Sequence, residues 1–346
     1  MKALVYRGPG QRALEERSKP AIRHPGDAIV RLTRTTICGT DLHILKGDVP
    51  SCEPGTILGH EGVGVIDSVG AAVSGFRPGE RVLISCITSC GRCDYCRKGM
   101  YSHCLDGGWI LGNRIDGTQA EYVRIPHADF SLHHIPDGAD EEALVMLSDI
   151  LPTGFECGVL NGKVRPGGSV AIVGSGPIGL AALMTAQFYS PATLVMIDPD
   201  ARRLELALRF GATHVLKPGR DVAARVMALT AGRGADTVIE AVGLPASFEL
   251  CQELVGPGGV IANVGVHGNK VDLHLQRLWS HNITITTRLV DTGTVPQLMQ
   301  AVVSNKIDAE RFITHRFPLE RIDEAYRTFA AAADTGALKV VVTVSD

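Results

Sequence analysis

The rhythm of apolar and polar positions changes near residue 166. Before that point, short β-like runs at 1–6, 28–36, 62–69 and 81–85 are separated by Gly, Pro and Asp, with Gly70, Gly75 and the Pro78-Gly79 pair as punctuation. This texture predicts an irregular, mostly antiparallel β domain. After Pro166-Gly167-Gly168, apolar strands at 169–174, 193–198, 214–216, 236–241, 259–264 and 282–288 alternate with helices at 177–189, 201–210, 221–230 and 245–255. Strands interleaved with helices of that length predict βαβ units and a parallel sheet. The tail carries two further helical stretches and a strand at 338–344, which cannot stand alone and so is expected to rejoin the first domain. The division expected is a first domain at 1–153, an α/β domain at 154–290 and a return segment at 291–346.

Bulk properties narrow the function classes. The chain of 346 residues is too long for one ordinary core. A formal net charge of −3 and the lack of any Lys/Arg-rich run argue against nucleic acid as a partner. The N-terminal stretch turns polar after six residues, unlike a signal peptide, and no segment approaches the roughly 20 apolar residues of a membrane span. A cytoplasmic protein without a membrane partner is expected. In that reducing setting the nine cysteines point to metal ligation or packing before disulfides.

Gly174-Ser175-Gly176-Pro177-Ile178-Gly179 is a G-x-G-x-x-G sequence lying directly between an expected strand and an expected helix. The glycines allow a tight turn, close backbone approach to a pyrophosphate and close helix–strand packing, while the helix N-terminus offers free N–H groups to phosphate. Asp198 ends the next strand, 19 residues after Gly179, where a carboxylate can hold the adenosine ribose and repel a 2′-phosphate. A doubly wound Rossmann sheet binding NAD is therefore expected. Arg202 and Arg203 weigh the other way, since either could attract a phosphate, although a solvated helix face is the plainer reading.

Cys90, Cys93, Cys96 and Cys104 form C-x2-C-x2-C-x7-C in a polar loop. Four thiolates so spaced can enclose one tetrahedral Zn²⁺ with no open position, as in a structural site. A second constellation is dispersed: Cys38-Gly39-Thr40-Asp41-Leu42-His43, then Gly59-His60-Glu61-Gly62, then Ser148-Asp149.

Taken together, C-G-T-D-x-H, G-H-E-G, the four-cysteine loop and the glycine fingerprint resemble the zinc-dependent medium-chain alcohol dehydrogenases over essentially the whole chain. The resemblance implies that Cys38, His60 and Asp149 ligate a catalytic zinc, with Glu61 near or on the metal. The aspartate at the third position resembles bacterial and archaeal secondary-alcohol dehydrogenases, which often lack the cysteine loop retained here. It implies Asp41 as the acceptor orienting His60, Thr40 and His43 as a proton relay, and Trp109 in the substrate pocket. It places Thr153, Ile178, Val264, Gly265 and Val266 along the nicotinamide, and the expected cofactor set further includes Arg203, Arg288 and Lys339.

The reaction implied is hydride transfer between NAD and a small primary or secondary alcohol. The expectation includes two zinc ions per subunit, one catalytic and one structural, in a homotetramer paired along the strand at 283–288. Sibling reactions on formaldehyde, a polyol or threonine stay open, since C-G-T-D-x-H also occurs in threonine dehydrogenases. A zinc-free quinone reductase or a non-catalytic relative would lack Cys38, His60 or the relay, and none is missing. Cys52, Cys86, Cys157 and Cys251 read as packing.

Overall fold

The alternating N-terminal runs form β1 (Lys2–Gly8) and β2 (Gln11–Glu16), an antiparallel pair, followed by β3 (Ala28–Thr36), β4 (Gly62–Val69), β5 (Arg81–Ile84), β6 (Tyr122–Ile125) and β7 (Leu132–His134). The apolar strands of the middle segment are β8 (Ser169–Val173), β9 (Thr193–Ile197), β10 (His214–Leu216), β11 (Ala235–Glu240), β12 (Val255–Asn263) and β13 (Thr284–Thr287). The tail supplies β14 (Ile313–Pro318) and β15 (Lys339–Thr343). This computed structural model describes residues 1–345 and groups them in two units, 1–149 with 291–345, and Ile150–Val290.

In the first unit the main sheet runs β14-β15-β3-β4-β5-β7, with β6 also paired to β3. β3 is the hub and is buried along most of its length. β4 covers one edge, while β6 pairs with its first half at Ala28–Arg31 and β15 with its second half at Arg34–Thr36. The pairings are antiparallel except β14 with β15, which is parallel. The return of the tail thus completes the sheet beside the end of β3, where the chain turns into the helix Gly39–Lys46. Helix Ile322–Ala330 seals this side with Ile322, Ala325, Tyr326 and Phe329 against Leu4, Ile37, Ile44 and Leu58.

The second unit is a parallel sheet in the order β10-β9-β8-β11-β12-β13. Its central strands are buried on both faces because helices cover both, which is why they read as unbroken apolar runs. The order reverses between β8 and β11, the crevice where doubly wound sheets bind nucleotides. Ile150–Pro152 opens a helical run that continues as wide π turns over Thr153–Leu160, an element the sequence pattern does not reveal. Just beyond it, Thr237 Oγ1 of β11 donates to the Gly162 carbonyl (2.8 Å) and Thr286 Oγ1 of β13 to Asn161 Oδ1 (3.0 Å). These bonds tie the run to the parallel sheet, and the two units divide at 149/150, where the sequence reading put 153/154. Among the described residues no helix is long and apolar enough to cross a membrane.

Candidate active site

Each donor of the dispersed constellation sits at the end of an element of the first unit. Cys38 follows β3 and is the N-cap of helix Gly39–Lys46, its own N–H donating to Asp41 Oδ2 at 2.9 Å. His60 and Glu61 lie just before β4, behind Gly59, whose φ of +93° and closeness to the Gln119 backbone nitrogen (2.9 Å from an added Cβ) require glycine. Thr35 and Thr118 hydroxyls both donate to the Glu61 carbonyl, at 2.7 and 2.8 Å, and hold that turn. Asp149 is reached through Ser148, whose carbonyl accepts from Cys86 N–H (3.0 Å) and whose Oγ accepts from Gly62 N–H (3.1 Å).

The outcome is convergence. One donor atom each from Cys38, His60, Glu61 and Asp149 falls within 4.8 Å of the others. His60 Nε2 lies 3.4 Å from Asp149 Oδ2, and Cys38 Sγ lies 3.5 Å from the same oxygen. Burial pushes the Cys38 thiol up, and the Asp149 carboxylate pushes it further. Burial pulls His60 down, but Asp149, Cys38 and Asp41 outweigh it and raise the imidazole well above its ordinary value. Three acidic groups crowded around one imidazole in a desolvated site gain from a bound divalent cation, which stabilises thiolate and carboxylate together. Glu61 Oε1 is buried with no partner, whereas Glu61 Oε2 is held by Thr36 and Lys339. The donor set fits zinc.

Around this centre, the Cys38 thiol lies 3.7 Å from Thr40 Oγ1. Thr40 is the second residue of the helix, so it is no cap. His43 is half exposed, with Nδ1 2.9 Å from Asp48 Oδ2. The Trp109 ring stands edge-on to His60, centroids 6.4 Å apart, and packs against the cluster containing Ile37 and Ile44. Two placements go beyond the sequence reading. Lys339, expected near the catalytic and cofactor region, is 1% exposed, and its ammonium is committed to Glu61 and the Ile37 carbonyl. Its positive charge thereby offsets a carboxylate in the metal site. Cys86, expected to serve packing alone, has its Sγ 3.8 Å from Asp149 Oδ1. No local pattern marks either residue, since their partners are distant in sequence.

The four-cysteine loop also closes on itself. Its sulfurs all fall within 4.8 Å, none is in a disulfide, and Cys90 Sγ and Cys96 Sγ are 4.0 Å apart. A tetrahedron with Zn–S bonds of about 2.3 Å places its sulfurs about 3.8 Å apart. Backbone N–H groups of Cys96 and Leu105 hold the Cys93 thiol at about 6, while burial and neighbouring thiols push Cys96 up to about 12. Four such groups ionise together when a cation sits among them.

In the second unit the glycine turn joins β8 to helix Pro177–Ala186. A Cβ on Gly179 would run into the Gly174 carbonyl oxygen, whereas at Gly176 the space is open, as phosphate approach requires. Ser175 is buried, and its N–H donates to Asp198 Oδ2 at 2.8 Å, while Asp198 Oδ1 accepts from Asp200 N–H at 2.9 Å. Gly174, Gly176, Asp198, Arg203, Val242 and Leu244 line one cavity of about 510 Å³. Val264 and Gly265 follow β12, and Val264 N–H donates to the Glu240 carbonyl at 2.8 Å, beside β11. Val266 and Arg288 are exposed, and Thr153 and Ile178 are half-buried.

Known proteins similar to this chain identify its family. The family model described as "Alcohol dehydrogenase GroES-like domain" matches residues 24–137, and "Zinc-binding dehydrogenase" matches 177–304. An alcohol dehydrogenase of Cupriavidus necator is 38% identical over 99% of this chain and 98% of its own. The apo structure of zinc-dependent alcohol dehydrogenase 2 from Streptococcus pneumonia is 55% identical, with a TM-score of 0.96 over 100% of this chain and 99% of that one. A protein described as a short chain alcohol dehydrogenase from E. coli CFT073, solved with NADH, is 26% identical, with a TM-score of 0.90 over 99% of both chains. The fold, the two donor clusters and these matches together show that the chain belongs to the zinc-dependent medium-chain alcohol dehydrogenase family.

Proposed function

We propose that this protein transfers hydride between NAD and a small primary or secondary alcohol, acting as a zinc-dependent alcohol dehydrogenase in the cytoplasm. The observation that carries the reading is the convergence of Cys38, His60 and Asp149 beside the Thr40 hydroxyl. Cys38, His60 and Asp149 would hold the catalytic metal, with Glu61 restrained beside it by Lys339 and Thr36. Zinc, when bound, is a Lewis acid that makes an alcohol hydroxyl acidic enough to lose its proton near neutral pH.

The chain's own groups do the rest. The Thr40 hydroxyl accepts the substrate proton and passes it on, and half-exposed His43 exchanges it with water. Trp109 forms an apolar wall over the substrate carbon, a preference for small substrates following from its bulk. Backbone N–H groups at the start of helix Pro177–Ala186 bind the pyrophosphate, and Asp198 takes the ribose hydroxyls. The alcohol loses one proton to this relay and one hydride to the nicotinamide ring, giving carbonyl and NADH.

Cys90, Cys93, Cys96 and Cys104 would hold a second, structural zinc, and the subunits would assemble as a homotetramer. Metal analysis should find about two zinc ions per subunit. Mild chelation should first take the ion whose site leaves a coordination position open, and the activity with it. A fully active native preparation without zinc would sink the reading. A panel of primary, secondary and cyclic alcohols with polyols, formaldehyde and threonine then separates the sibling substrates.

A further inference from the structure

Gln119 and Tyr326 are 0% and 1% exposed, and no step above uses either polar group. They come from distant parts of the first unit, Gln119 from the loop before β6 and Tyr326 from helix Ile322–Ala330 of the returning tail. Tyr326 O–H donates to Gln119 Oε1 at 2.8 Å. Gln119 Nε2 donates in turn to the Thr36 carbonyl at 3.1 Å and to Asp41 Oδ2 at 3.2 Å. The Thr36 carbonyl and the Asp41 carboxylate can only accept, so they fix the donor end of the amide toward Asp41, and the tyrosine hydroxyl anchors the acceptor end. With the amide reversed, its oxygen would meet a carbonyl and a carboxylate in a buried site.

Asp41 passes the constraint on. Its Oδ2 takes Gln119 and the Cys38 N–H, which leaves Oδ1 buried and without a hydrogen-bond partner. His60 Nδ1 lies 3.9 Å from that oxygen, while the opposite ring nitrogen faces Asp149. A proton on Nδ1 directed at Asp41 leaves Nε2 with the lone pair a metal needs. On the far side, the Arg12 guanidinium stacks over the Tyr326 ring at 4.4 Å from its centroid and holds the ring in place.

We propose that Gln119 and Tyr326 are positioning residues for the catalytic zinc. Tyr326 anchors the oxygen end of the Gln119 amide, Gln119 aims Asp41, and Asp41 fixes the orientation of both His60 and Cys38. The proposal rests on the assignment of Cys38, His60 and Asp149 as zinc ligands. It also gives the returning tail a task beyond closing the sheet, because the chain that supplies Tyr326 reaches the metal site through one amide.

The test is zinc release from the holoenzyme to excess chromogenic chelator, with the slower cysteine-loop ion as an internal reference. Tyr326→Phe keeps the ring and its stacking, and Gln119→Leu removes both ends of the amide. Each should release the exchangeable zinc about tenfold faster than wild type, as loss of outer-layer support does at other metal sites. The double variant should be no faster than Gln119→Leu, since Tyr326 acts only through Gln119. If Gln119→Leu does not fold, Gln119→Met takes its place in the cycle. A merely structural role would lower the melting temperature and leave zinc release alone. Wild-type release from both single variants, or additive effects in the double, would overturn the proposal. A wild-type enzyme with no exchangeable zinc would instead overturn the metal assignment beneath it.

Discussion

The proposed relay of Thr40 and His43 lies within one helix, Gly39–Lys46. Cys38 ends an extended segment and caps a helix, so the hydroxyl two residues later returns to within 3.7 Å of the ligand sulfur. His43 lies about one turn further on, where its ring is exposed enough to meet water and is steadied by Asp48. Since Cys38 and not Thr40 is the N-cap, Thr40→Ala loses no cap and should change stability by about 0.5 kcal/mol or less. Turnover is expected to fall by about a hundredfold, the lower range for a lost acid–base group. His43→Gln should retain zinc and fold, slow alcohol oxidation chiefly near neutral pH, and recover in part with small amine buffers. A stable, zinc-replete Thr40→Ala enzyme turning over at the wild-type rate would rule the relay out. These residues were legible because they share one short stretch of chain. The contacts of Lys339 and Cys86 were not, because each meets a carboxylate at the end of an element far away in sequence.

Among the elements, Asp198 links two that the nucleotide needs together. It directly follows β9, and through Ser175 N–H it tethers the glycine turn that follows β8. Its two oxygens each accept one backbone N–H and have lone pairs left for ribose hydroxyls. Asp198→Ala should therefore lower catalytic efficiency with NAD while NADP improves relative to it. A charged hydrogen bond of about 1.5–3 kcal/mol corresponds to a shift in the ratio of roughly tenfold to a hundredfold. Kinetics with both nucleotides at saturating alcohol check this, and an unchanged ratio would show that Asp198 does not read the ribose. The alternation of β8 to β13 with helices was plain in the sequence, as buried parallel strands carry their signal locally. Short strands such as β2, β6 and β7 were not, for their partners and not their own residues stabilise them. The π turns over Thr153–Leu160 have no periodic signature at all.

At the scale of the whole molecule, β13 lies at an edge of its sheet, and just before it Trp279 and Leu275 are 78% and 58% exposed. An open edge beside exposed apolar side chains favours pairing with a symmetry mate. Light scattering at micromolar concentration should give the mass of four chains, and Trp279→Glu should reduce it. A monomeric mass for the wild-type protein would refute the assembly. The sequence by itself determined the parallel nucleotide-binding sheet and the cysteine loop, which rest on local periodicity and on one short spaced run visible in one dimension. The dispersed residues Cys38, His60 and Asp149 were legible only through the resemblance of their motifs to a known family. Tertiary structure alone decided which carboxylate oxygen meets which donor, that Lys339 neutralises Glu61, and that Tyr326 reaches Asp41 through Gln119. Those contacts join residues scores to hundreds of positions apart. Their geometry arises only when sheet register and helix packing bring the ends of separate elements to one buried point.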